Sequence, residues 1–134
     1  MTLTEHALTG AVLRVGRPDG LPNRLPVGLP WYRSMPFSSL VGLELLLDGL
    51  AVAGVGLEVD GSAMPIEGLR DVADRYWFLQ DRHVLRWRGP APIGERADVV
   101  LRMRLHLPNL TGPDGGSLQV LQEVRGTVPV EATG

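Results

Sequence analysis

The chain has 134 residues and no cysteine, with 13 Lys and Arg against 15 Asp and Glu for a formal net charge of -2. Disulfides and thiolate metal sites are therefore excluded, and the charge balance argues against a nucleic-acid binder, which carries a basic excess. The length suits a single domain, residues 1–134, with a hydrophobic core of its own. The 17 glycines and 11 prolines fall between short apolar runs, a pattern of frequent turns that predicts an all-β fold. The segment Met1-Thr2-Leu3-Thr4-Glu5-His6 lacks the basic flank and apolar run of a signal peptide. No apolar run approaches the length of a membrane span, so the expectation is a soluble, cytoplasmic protein.

Residues 1–9 show no period. Ala11 to Val15 predicts a short first strand, stopped by Gly16, Pro18, Asp19 and Gly20. Arg24 to Leu29 is extended, and Pro26 confines it to an edge or an irregular strand. The next segment, Leu29 to Ser39, is the densest aromatic stretch. Pro30 and Pro36 fix their own φ angles and push Leu29 and Met35 toward extended backbone. The expected result is a stiff loop that holds Trp31, Tyr32 and Arg33 in a defined place. Trp and Tyr combine a large apolar body with a polar tip, and Arg adds a planar fork of donors.

Leu40 to Leu47 places Val41, Leu43, Leu45 and Leu47 on one parity, predicting a half-buried strand ended by an Asp48-Gly49 turn. Ala51 to Val59 reads as a further strand, and Ser62 to Ile66 returns from an Asp60-Gly61 turn as a hairpin. Glu67 to Ala73 suits one helical turn. Tyr76-Trp77-Phe78 is a second aromatic cluster, better suited to core or interface than to a ligand platform. Val84 to Trp87 is a short strand. Asp98 to Leu107 alternates most cleanly of all. Val99, Leu101, Met103, Leu105 and Leu107 form its core face, and Val100, Arg102, Arg104 and His106 the opposite one. Pro108-Asn109 is expected to end it, residues 111–116 to form an exposed loop, and Leu118–Val124 with Thr127–Val130 to supply the last strand or strands. About eight short strands at this spacing fit an antiparallel β-sandwich or jelly roll.

Motifs that carry chemistry are few. His6, His83 and His106 are far apart in sequence, with no carboxylate at ligand spacing, and a metal site needs several converging ligands. Glu44, Glu58 and Glu95 stand alone, no nucleophile motif is present, and Gly54-Val55-Gly56 does not open a helix after a strand. Neither catalytic nor metal-ligating residues are assigned. Arg102, Arg104 and His106 share a face that is either the solvated side of a sheet or a basic wall meeting a ligand or partner. With Trp31, Tyr32 and Arg33 they make up the expected ligand or partner interface.

Several segments, in order, resemble the small (β) subunit of the bacterial C-glycoside deglycosidases. They are the loop Pro30-Trp31-Tyr32-Arg33-Ser34-Met35-Pro36, then Ser38-Ser39, and the strand from Leu43-Glu44-Leu45 to Asp48-Gly49. A hairpin at Val59-Asp60-Gly61, the patch Tyr76-Trp77-Phe78 and the strand Val99 to Leu105 follow. The resemblance implies a β-sandwich accessory subunit of a carbon–carbon lyase acting in carbohydrate metabolism. Such enzymes cleave the C–C bond between an aromatic aglycone and a sugar oxidised at its 3-position. The ketone acidifies a neighbouring C–H, and elimination expels the aglycone. It further implies that a divalent metal, manganese foremost, and the catalytic acid and base sit in a larger, barrel-type subunit, with the sugar at or near the subunit interface. This chain then holds no cofactor and is non-catalytic alone. Two other readings stay open from the residues themselves. One is a stand-alone carbohydrate-binding module that stacks sugar on Trp31 and Tyr32. The other is a structural protein that self-associates through its sheet.

Overall fold

The computed structural model describes residues 7–17, 20–30, 34–59, 61–72, 74–78, 80–89, 91–92, 94–111 and 117–132. Strands dominate, as the turn-rich sequence predicts. The first part of the chain gives β1 (Leu13–Val15), β2 (Asn23–Gly28), β3 (Met35–Pro36), β4 (Leu40–Leu47) and β5 (Leu50–Ala51). There follow β6 (Gly56–Val59), β7 (Ser62–Pro65), β8 (Tyr76–Trp77) and β9 (Arg82–Trp87). Two long strands, β10 (Arg96–Thr111) and β11 (Ser117–Ala132), close the chain, and short 3-10 turns span Phe37–Ser39 and Ile66–Asp71. No helix among the described residues is long and apolar enough to cross a membrane.

A nine-stranded sheet runs in the order β5-β4-β10-β11-β1-β2-β9-β6-β7, and β3 pairs separately with β8. The 3-10 turn that follows β7, at one end of that order, packs against β4 near the other end. The sheet is thus curled over, and its two halves share one core. Leu45, Leu101, Met103 and Leu105 enter that core from one half, and Leu25, Val27, Leu57, Leu85 and Trp87 from the other. Each such side chain contributes roughly 1.5–3 kcal/mol by leaving water.

The Asp98–Leu107 alternation is realised: Val99, Leu101, Met103 and Leu105 are buried, and Arg104 is exposed. The Asp48-Gly49 turn also forms, with φ of 51° and 84°, the doubly left-handed geometry of a tight hairpin between β4 and β5.

Several local expectations are corrected. Val41 faces outward, 41% exposed, while Leu40 is buried at 2%. The pairing of β4 with β10 steps from Gly42↔Arg104 to Leu40↔Leu105, so Val41 is the extra residue of a bulge and parity flips there. The expected strand Ala51–Val59 is broken, because Gly54 adopts a φ of 69°, outside strand geometry. β10 runs through Pro108 to Thr111, and the ladder to β11 is irregular between Leu107 and Thr111, where a missing donor is tolerated. β11 is a single strand. Pro26 lies in β2, which is interior in the sheet order. β1 pairs with β2 only at Arg14↔Arg24, so at Pro26 that side of β2 is locally an edge. The antiparallel expectation holds except between β1 and β11, which run parallel. Parallel neighbours need a long connection, and here most of the chain lies between them.

Candidate interaction surface

The outer face of β10 carries the three expected polar residues, and the cross-strand neighbours decide their state. Arg102 lies opposite Glu44 of β4 and Glu123 of β11. Its Nη1–H donates to Glu44 Oε1 at 2.6 Å, and its Nε–H donates to Glu123 Oε1 at 2.8 Å. Arg125 Nε–H donates to the other Glu123 oxygen at 3.0 Å. Hydrogen bonds from Arg102 and then Arg125 hold the Glu123 carboxyl below the usual carboxylate range. The same bonds, first to Glu123 and then to Glu44, push the Arg102 guanidinium up. Charge pairing extends over the rest of this face. Arg14 meets Glu131 at 3.0 Å and Arg24 meets Glu58 at 2.9 Å. In this part of the sheet Arg102, Arg14 and Arg24 are each held in an ion pair.

One row further along, the arrangement changes. Arg104 lies opposite Gly42 and Leu121 and forms no ion pair among the described residues. A Cβ placed on Gly42 would lie 3.4 Å from Arg104 Cβ, so the arginine is laid across the glycine. Val41 is exposed at 41% and Leu121 at 58% beside it. His106, opposite Gln119, is partly exposed in the next row. An arginine without an ion pair among the described residues is a residue type enriched at interfaces, and the exposed Val41 and Leu121 beside it add apolar contact area.

Trp31, Tyr32 and Arg33 lie outside the described residues. Their flanks are firmly held: Leu29 is 1% exposed and Met35 7% exposed. Met35 and Pro36 pair with Trp77 and Tyr76, and Phe37 N–H donates to the Arg75 carbonyl at 3.0 Å. The second aromatic cluster is divided by strand alternation. Trp77 is buried at 1%, with its Nε1–H donating to the Asp81 carbonyl at 3.1 Å. Tyr76 and Phe78, on the opposite side of the backbone, are 49% and 48% exposed and stack at 6.2 Å. Trp77 is therefore core, while its two neighbours offer apolar surface at the base of the proline-bracketed loop.

His83 completes the buried part. Its ring packs edge-on against Phe37 at 4.9 Å and Trp77 at 5.1 Å. Its Nε2 is buried with no hydrogen-bond partner among the described residues. Burial lowers its pKa, opposed by a hydrogen bond to the Glu58 backbone and by the Asp81 charge. No group of three or more His, Asp or Glu side chains converges at metal-binding spacing among the described residues.

No protein-family model matches the chain. Two relatives do. The C-glycoside deglycosidase beta subunit of Microbacterium trichothecenolyticum is 30% identical over 106 residues, which cover 78% of this chain and 81% of that protein. The chain belongs to the C-glycoside deglycosidase beta subunit family. The beta subunit of Arthrobacter globiformis is also similar, 32% identical over 84 residues, 60% of this chain and 63% of that protein.

In this member of the C-glycoside deglycosidase beta subunit family, three features lie beyond the reach of sequence reasoning. Glu44 and Glu123 neutralise Arg102, which only the strand register reveals. His83 is walled by Phe37 and Trp77, residues 46 and 6 positions away in the chain. A cleft of about 580 Å³ opens between the sheet halves, lined by Leu43, Val55, Met64, Arg86 and Trp87 among others. None of Arg102, Arg104 or His106 lines that cleft.

Proposed function

We propose that the chain is the accessory subunit of a C-glycoside deglycosidase, a lyase that cleaves the C–C bond of 3-oxo-C-glycosides by elimination. The observation that carries this reading is the match over 81% of the Microbacterium trichothecenolyticum beta subunit at 30% identity. In this reading a separate, barrel-type large subunit supplies the catalytic acid and base. A divalent metal, manganese foremost, would act there as a Lewis acid toward the substrate. Among the described residues no group of three or more His, Asp or Glu side chains converges, and in this reading the metal belongs to the large subunit. The sugar binds at or near the subunit interface.

The chain's own part is to dock. The proline-bracketed segment with Trp31, Tyr32 and Arg33 supplies the residue types that anchor interfaces, and its flanking Leu29 and Met35 are buried. The exposed Tyr76–Phe78 stack adjoins the strand pair that anchors this loop. On the β10 face Arg104, which forms no ion pair among the described residues, contributes charge beside exposed Val41 and Leu121.

The test uses a 3-oxo-C-glycoside, this chain, and the large subunit from its own host. The chain alone releases no aglycone, the large subunit alone little, and the two together release it rapidly. Cleavage by the chain alone, or full activity of the large subunit without it, overturns the reading.

A further inference from the structure

Among the described residues, one side of the β11 backbone is unpaired over part of its length. Val130 N–H donates to the Glu95 carbonyl at 2.8 Å, and the register then runs without a break from Arg96↔Pro129 to Leu107↔Leu118. In an antiparallel ladder hydrogen-bonded pairs recur at every second residue. The even-numbered residues of β11 therefore bond to the odd-numbered residues of β10. An independent contact agrees: Asp98 N–H and C=O both bond to Asp48, on the side of β10 away from β11. It follows that Gln119, Leu121, Glu123 and Arg125 aim their N–H and C=O groups away from β10.

Nothing among the described residues meets those groups. The other neighbour of β11 is β1, and it pairs only at Val130, Glu131 and Ala132. No backbone hydrogen bond from any other described segment reaches Gln119 to Arg125. Of the devices that blunt a natural edge strand, the stretch carries the charges of Glu123 and Arg125, which are engaged with Arg102 and with each other. Pro129 sits beyond the stretch, and Leu121 in its middle is 58% exposed. On the other margin of the same ribbon, β10 loses β4 after Leu105↔Leu40. Among the described residues, β11 thus presents an open row of donors and acceptors from Gln119 to Arg125, beside a ribbon that runs on past β4.

We propose that the edge of β11 from Gln119 to Arg125 receives an extended segment of the large subunit, which adds to the sheet as a further strand. This rests on the reading of the chain as an accessory subunit. The chemistry defines the occupant. Its backbone alternates donors and acceptors against those of Gln119, Leu121, Glu123 and Arg125, and it places an apolar side chain beside Leu121 on the outer face. It needs no charge opposite Glu123, whose carboxylate is already held by Arg102 and Arg125.

Two measurements test this on chain co-expressed with the large subunit from its own host. Amide exchange is followed first, in the free chain and in the complex. Amides of Leu121 and Glu123 exchange fast in the free chain, while those of Val120 and Gln122 are slow. In the complex the first pair slows by about tenfold or more. The second measurement is co-purification of Leu121→Pro. The proline removes an N–H that β10 does not use, so the variant keeps its ladder and its melting temperature but binds roughly tenfold more weakly. If that variant does not fold, exchange in the unmodified protein decides. Fast exchange of Leu121 and Glu123 in a saturated complex overturns the proposal. So does concentration-dependent protection in the chain alone, which assigns the edge to a second copy. An unmodified chain that fails to co-purify with the large subunit instead overturns the accessory-subunit reading on which the proposal rests.

Discussion

Arg102 and Arg104 stand two residues apart on one face of one strand, yet they belong to different surfaces. Arg102 has carboxylates on both sides, at 2.6 and 2.8 Å. Arg104 has a glycine on one side and an exposed leucine on the other. Alternation along a strand fixes which face a side chain takes, but its partner is set by the residue opposite, and that depends on register. The ion-paired row is satisfied within the chain. The row above it, with Val41, Leu121 and the edge of β11, finds no such partners among the described residues.

The sharpest way to break this contrast is to remove the core that holds both rows in place. Leu101 is fully buried beneath the Arg102 row and lies between Leu45 and Val124. Leu101→Ala is expected to cost about 2–5 kcal/mol in chemical denaturation, as lost transfer energy plus an unfilled cavity. A loss near zero means that β10 presents its other face inward, and both rows then dissolve as surfaces.

Acid titration comes next, because it acts on one row and not the other. The Glu123 pKa is lowered in the fold from an ordinary 4.5, so the unfolded chain takes up the proton first. The stabilisation is complete above pH 4.5 and is lost as the pH falls through the lower folded value. His83 acts earlier. Its folded pKa lies below the ordinary 6.5, so unfolding gains a proton once the pH drops below 6.5, and stability declines from there. The melting temperature is expected to fall in two stages. His83→Gln, which keeps a donor for the Glu58 backbone, flattens the first stage, and Glu123→Gln flattens the second. Arg104→Ala leaves both stages unchanged, and a change in the second, carboxylate stage assigns Arg104 a carboxylate partner.

Much of this architecture is legible in the amino-acid sequence. The β10 alternation needs only period-two spacing, and the β4–β5 hairpin follows from Asp48-Gly49. What escapes is non-local. The bulge at Val41 arises from how β4 meets β10, and Leu40, its neighbour, carries no local signal that it takes the core position. The parallel β1–β11 pair joins the ends of the chain, which local pattern does not connect. Tyr76-Trp77-Phe78 looks like one patch as a string of residues, although the pleat sends Trp77 inward and Tyr76 and Phe78 outward. The resemblance to the deglycosidase beta subunits rests on short motifs and is matched by overall similarity to two of them.

Replacing Arg102 gives a smaller effect than either the core truncation or the acid titration. Arg102→Ala leaves Glu44 and Glu123 facing one another across the strand with no cation between them. Exposed pairs contribute little and are screened by salt. The expected result is a modest fall in melting temperature at low ionic strength that fades as salt is added. Binding to the large subunit is unchanged. A loss of binding with stability intact instead moves the docking surface down by one row.

The smallest expected change in stability is also the most informative. Arg104 makes no ion pair among the described residues, and its stem rests on Gly42, where truncation opens surface to water rather than a cavity. Arg104→Ala is therefore expected to leave the melting temperature of the isolated chain where it was. Assembly is a different matter. Arg is among the side chains most enriched at interface hot spots, and truncating one often costs about 2 kcal/mol, some thirtyfold in affinity. Titration of the large subunit with wild type and with Arg104→Ala reads this directly. Arg104→Lys separates charge from geometry. If a planar carboxylate of the partner accepts two hydrogen bonds from the guanidinium, lysine recovers only part of the loss. If the row serves solvation alone, all three chains bind alike, and the distinction between the two arginines is one of intramolecular pairing without consequence for assembly.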